Sequence, residues 1–159
     1  MASHWERRHT GVVLRLSPKL VVDDGPGGAD RAIDFYREVL GAEVDVRHVM
    51  GAAVVFARLL LPGGGELHVK DADGVDPGPP AGGGGHIVDV VCADPDALVA
   101  RAVGHGAEVL FAVDDQPYGS RQGRFRDPFG HQWIVGTPIA MSEEAVQDAL
   151  DAWAGDSRG

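Results

Sequence analysis

The sequence predicts an α+β fold of two βαβββ modules, forming a curved mixed sheet with helices outside and a groove inside, and then a C-terminal helix. Three observations carry this reading. The letters GAEV occur at 41–44 and again at 106–109, a constant shift of 65 positions. The wider segments AIDFYREVLGAEV (32–44) and ALVARAVGHGAEV (97–109) each join a helix-like run to a strand start. Between the copies lies DADGVDPGPPAGGGG (71–85), a Pro/Gly-rich connector without periodicity.

Residues 1–11 read as a loose leader, and 12–70 as the first module. The segment 12–22 is strand-like, with a break or an edge position at Pro18. DDGPGGAD is a loop in which Asp30 is the expected N-cap of a helix over 31–40. Ile33, Tyr36, Val39 and Leu40 fall on one stripe of that helix, with Phe35 beside it. Gly41 is its expected stop. Strands follow over 43–48, 52–61 and 66–70, the last two joined by the PGGG turn at 62–65.

The second module, 86–140, repeats the order. A strand over 86–93 leads to Asp94, the expected cap of a helix with Pro95 at its first position. That helix ends at His105, before Gly106. Strands follow over 108–113, 123–126 and 132–136, with DPFG (127–130) as the last tight turn and Trp133 a core residue. In the tail, 141–159, Ser142 caps an acidic-start helix ending near Trp153.

Composition narrows the function. The chain has 159 residues, 44% of them hydrophobic, and a formal net charge of −10. An acidic chain lacks the basic surface that nucleic acid and anionic membranes require, but suits a cationic ligand. The only cysteine, Cys92, excludes a disulfide framework and reads as a small core residue. The N-terminal MASHWERRHTG lacks the apolar core of a signal peptide, and no stretch approaches the ~18 apolar residues of a spanning helix. A cytoplasmic location is expected. No P-loop, GxGxxG, HExxH or nucleophile elbow is present.

Residue patterns mark candidates for a site. Glu66, His68 and Lys70 alternate with Leu67 and Val69, so His68 faces either groove or solvent. Asp89 is an unexpected carboxylate inside IVDVVC; it faces a groove or pairs with an arginine, because an unpaired buried charge is costly. Phe56 either lines the groove or fills the core. DPFG reads as turn chemistry, with His131 a turn residue.

The segments SPKLVVDD (17–24), AIDFYREVLGAEV (32–44), GAEV (106–109) and PYGSRQGRFRDPFGHQW (117–133) resemble the vicinal oxygen chelate superfamily of glyoxalases, bleomycin-resistance proteins and extradiol dioxygenases. Within it, they are most similar to the PhnB-like group. The resemblance implies paired modules completed into a homodimer. It places metal positions near Ser17, His68, His86 and Ile134, of which two are metal-capable side chains. It also puts Arg121 and Tyr118, in PYGSRQG, at a loop with the pattern WGxRxG, as ligand-contacting or loop-locking residues. Counting back from Asp94 puts Ile87 rather than His86 at the groove-facing position. That register sends Ile87, Asp89 and Val91 to the groove, and Val88, Val90 and Cys92 under the helix. The expectation is a dimeric binder of a small, cationic molecule using Phe56, His68, Asp89, Tyr118 and Arg121, with no cofactor favoured. The alternative is a lyase, isomerase or dioxygenase whose divalent metal is held by His68 and His86, with Asp89 or a residue of a partner chain as the third ligand.

Overall fold

The computed structural model describes residues 15–157. In chain order the elements are β1 Lys19–Val22, α1 Gly28–Leu40, β2 Glu43–Met50, β3 Ala53–Leu60, β4 Glu66–Asp71, β5 Val88–Val91, α2 Pro95–Gly104, β6 Glu108–Asp115, β7 Arg121–Arg126, β8 Gln132–Gly136 and α3 Glu143–Asp156. The expected βαβββ order appears twice, as two four-stranded mixed sheets ordered β1-β4-β3-β2 and β5-β8-β7-β6. In each, the outer strand preceding the helix runs parallel to its neighbour, and the other pairs are antiparallel. No described helix is long and apolar enough to cross a membrane.

Helix α1 departs from the local reading. It begins at Gly28, and Gly27, with φ 73°, is its N-cap. Asp30 lies inside the first turn and pairs with Arg47 through two 2.8 Å bonds. The capping carboxylate comes instead from Asp71 on β4, which accepts from Ala29 N–H at 2.8 Å and from Val54 N–H at 2.8 Å. A cap delivered from 42 residues away leaves no local trace. The stop is as expected: Gly41 adopts φ 68°, and the amides of Gly41 and Ala42 close onto the Arg37 and Tyr36 carbonyls. In α2 the Asp94 side chain accepts from Ala97 N–H, and in α3 Ser142 accepts from Ala145 N–H, both as read from sequence.

Each of the first two helices covers one face of its own sheet, and the two helices pack together. The α1 stripe Ala32, Ile33, Phe35, Tyr36 and Val39 is buried against Leu20, Val54, Leu67 and Val69. The second module contributes Leu98, Val99, Phe125, Trp133 and Val135 to the same core. Val88, Val90 and Cys92 pack under it, so the register that turns Asp89 outward is the one adopted. Cys92 is half-buried rather than a full core residue. The expected strand over 86–93 shortens to four residues. His86 falls in the connector before it and is exposed.

The DPFG turn does more than reverse the chain. Asp127 is buried, and its Oδ1 accepts from the amides of Phe129 and His131 at 2.9 and 3.0 Å. Its Oδ2 accepts from Tyr36 Oη–H at 2.6 Å and from Trp133 Nε1–H at 2.9 Å. His131, also buried, holds Nδ1 3.6 Å from Oδ2, too far for a hydrogen bond but close enough to act on the charge. Burial alone would raise the Asp127 carboxyl, but His131, Tyr36 and Trp133 outweigh it and hold it below the usual carboxylate range. The Tyr36 hydroxyl is pushed well up, first by burial and then by the charge and hydrogen bond of Asp127.

This network yields two predictions. Asp127→Ala leaves the Tyr36 and Trp133 donors buried and unpaired, at about 1–3 kcal/mol each. A loss of about 3 kcal/mol in urea unfolding is therefore expected, and a loss under about 0.5 kcal/mol would contradict the network. The pH profile has two flanks. A lowered Asp127 stabilises above its unfolded value near ~3.9 and loses that contribution as pH falls through the folded value. A raised Tyr36 contributes fully below about pH 10 and loses that contribution as pH rises above it. Tyr36→Phe should remove the alkaline flank, measured by melting temperature against pH.

Candidate functional site

With α1 and α2 covering their inner faces, the outer faces of both sheets are left to solvent. Side chains alternate across a strand, so the neighbours of buried Leu20, Leu67 and Val69 point outward together. In the first sheet this puts Lys19, His68 and Arg58 in one row, as register partners on β1, β4 and β3. Phe56 stands beside them, its ring 4.8 Å from His68 and T-shaped to it. His48 stacks on the other side of Phe56 at 6.3 Å and 20°. The Lys19 ammonium lies 5.5 Å from the centre of the Phe56 ring. His68 Nε2 is 2.6 Å from Glu66 Oε1, a contact that holds the Glu66 carboxyl below its usual range. The structure thus brings the two expected residues His68 and Phe56 into contact. Glu66, His48 and Lys19 join them. Glu66 was visible in the alternation; His48 and Lys19 needed the strand register.

On the second sheet, Asp89, Ile134, Arg124 and Phe111 form the corresponding row across β5, β8, β7 and β6. Arg124 lies 5.3 Å over the Phe111 ring, which is 64% exposed. Asp89 is exposed and has no ion pair or hydrogen bond among the described residues. Tyr118, in the loop before β7, donates its Oη–H to Gln122 Oε1 at 2.7 Å, and Gln122 is an outward residue of β7.

Arg121 points the other way. It alternates with Gln122 and reaches Asp96 at the start of α2 through two bonds of 2.7 and 2.9 Å, with a third of 3.2 Å to Asp115. Asp96 and then Asp115 push its already high value further up. Its position is that of a lock between β7, α2 and the end of β6.

Metal chemistry requires about three converging protein ligands. Among the described residues no group of three His, Cys, Asp or Glu side chains could hold an ion. His68 and His86 belong to different modules, His68 is engaged by Glu66, and Ile134 presents an aliphatic side chain opposite Asp89. Ser17, just before β1, adds only a hydroxyl. Among the described residues the donors do not converge as a divalent metal requires.

Comparison with known proteins agrees with this architecture. Residues 25–135 match the Glyoxalase/Bleomycin resistance protein/Dioxygenase superfamily. An uncharacterized Mycobacterium bovis protein, Mb0911c, is 34% identical over 145 residues, covering 86% of this chain and 92% of that one. The crystal structure of TioX from Micromonospora sp. is 28% identical with a TM-score of 0.57, covering 79% of this chain and 98% of that one. An Arabidopsis thaliana gene product, AT5G48480, is 26% identical with a TM-score of 0.62, covering 78% and 98%. The repeated modules, the order of their strands and the extent of these matches show that the chain belongs to the glyoxalase/bleomycin-resistance/dioxygenase superfamily, the vicinal oxygen chelate fold.

Proposed function

We propose that this protein is a cytoplasmic, PhnB-like member of its superfamily that binds a small cationic molecule, such as an antibiotic or metabolite, without a catalytic metal. The observation that carries the reading is the Phe56 plate. An aromatic ring flanked by two imidazoles stands on an uncovered sheet face, and a cation, Lys19, already lies over it. A ring that takes an ammonium in the free protein can take a ligand cation in its place, at about 0.5–2 kcal/mol. The Glu66 carboxylate beside the plate favours positive charge, as does the net charge of −10. The donor set described above supports a site without metal.

The ligand would be enclosed by a second copy of the chain. The outward faces carry Val91 at 72% and Phe111 at 64% exposure, more apolar surface than a monomer gains by leaving in water. A homodimer that sets these faces together would turn two open plates into closed grooves.

Two measurements test the reading. After incubation with Mg, Mn, Fe(II), Co, Ni and Zn salts and desalting, elemental analysis should find well below one metal per chain. Stoichiometric metal lost in His68→Ala would instead place the protein with the metal-dependent members as a lyase, isomerase or dioxygenase. A panel of planar aromatic cations should contain members that raise the melting temperature, and Phe56→Ala should weaken their binding by about tenfold. Equal binding by the Phe56→Ala variant would overturn the assignment of the site.

A further inference from the structure

The two modules meet along a seam, and a cleft of about 510 Å³ opens there. Its aliphatic wall comes from Leu40 at the end of α1, Leu61 and Pro62 after β3, and Leu98 of α2. No residue of the Phe56 plate lines it. The volume lies within the ~300–1,000 Å³ of ligand pockets, which favour interfaces between folding units.

The remaining side of the cleft is a strand edge. Among the described residues β5 pairs only with β8, so its other edge carries no ladder. Asp89 and Val91 line the cleft, yet the register turns their side chains to the outer sheet face, away from Val90 and Cys92. What they present to the cleft is backbone. Cys92 donates its amide to the Gly136 carbonyl, at the end of β8, at 2.8 Å. Backbone groups of successive residues alternate between the two sides of a strand. The N–H and C=O groups of Asp89 and Val91 therefore face the free edge, where no described residue pairs with them. An unpaired edge beside apolar surface is a template for another extended chain. One charged side chain lines the same wall, Arg101. Its Nε and Nη2 donate to the Val39 carbonyl at 3.2 and 3.0 Å, which holds the guanidinium at the cleft and leaves Nη1 for a further acceptor.

We infer that β5 takes an extended apolar peptide as a fifth strand of its sheet, with a peptide carboxylate on Arg101 and aliphatic side chains against the cleft wall. Backbone hydrogen bonds to Asp89 and Val91 supply affinity, and the cleft selects side chains. A second copy of the chain suits this edge less well. Pairing β5 with another β5 brings two Asp89 carboxylates onto one face of a four-residue ladder, and like charges across strands are destabilising.

The test uses acetyl-Val-Leu-Val with a free carboxy-terminus in calorimetric titration of the full-length protein. Beside it run the same peptide with every amide N-methylated, which cannot donate to an edge, and the same peptide with its terminus amidated. The free acid should bind, and each altered peptide about tenfold more weakly. Val91→Pro removes one edge donor but keeps the ladder to β8, because that amide points away from β8. It should weaken the free acid about tenfold with the melting temperature unchanged. The N-methylated peptide probes the same hydrogen bonds without altering the protein. Phe56→Ala should leave peptide binding unaffected, which separates this site from the cation plate. Cys92, the only cysteine, also lines the cleft, so the free acid should slow its alkylation by a maleimide. Absence of both heat and thiol protection overturns the proposal. So does equal binding of either altered peptide, or equal binding by the Val91→Pro variant. A homodimer that Val91→Pro dissociates would assign the edge to a second copy and overturn it as well.

Discussion

The carboxylate of Asp127 is the joint on which the two modules depend. One oxygen shapes the DPFG turn through two amides, and the other takes Trp133 from its own sheet and Tyr36 from the helix of the first module, 91 residues away. A buried carboxylate survives only where donors replace its water. Here they come from both halves, so the charge is stable only when the modules are docked. Tyr36 then lies against Trp133 with ring centres 5.4 Å apart, and Phe35 meets Phe129 at 6.3 Å. Polar anchoring sets the register, and aromatic packing supplies the apolar burial around it. Asp71 plays a similar part within the first module, tying the start of α1 to β3.

That docking decides where function can reside. The helices take one face of each sheet, and the connection through Tyr36 and Arg101 fixes their mutual position. What remains for ligands is the outer face of each sheet and the seam between modules. The polar residues left over are informative because most charges in this acidic chain find local partners. Lys70 bridges Asp73 and Asp76, and Arg126 reaches Glu108. Lys19 and Arg124 lie over aromatic rings on the two outer sheet faces, and neither makes an ion pair among the described residues. Partially satisfied charges beside apolar surface are the ordinary mark of a binding site.

Much of the architecture was legible in the chain. The repeated GAEV corner, the glycine stop at Gly41, the Asp94 and Ser142 caps and the DPFG turn are local signals, each with a local cause in backbone geometry or a short side-chain hydrogen bond. The register of β5 also followed, because the helix cap at Asp94 counts back to it. Boundaries were less well read. The start of α1 moved upstream to Gly28, since its cap comes from Asp71 across the sheet. His86 fell outside β5, since its neighbours in the glycine run hold no ladder.

The sequence by itself determined the module, its duplication and the inward and outward sides of most strands, because periodicity and turn chemistry act over a few residues. It also determined that Asp89 would be an outlier among apolar neighbours. Only the tertiary structure decided which outward residues meet. Phe56 touches His68 because β3 pairs with β4 in one register, and Arg121 turns to Asp96 instead of the sheet face. Those meetings depend on contacts between residues distant in sequence, and such contacts are set by packing of the whole core rather than by any local pattern.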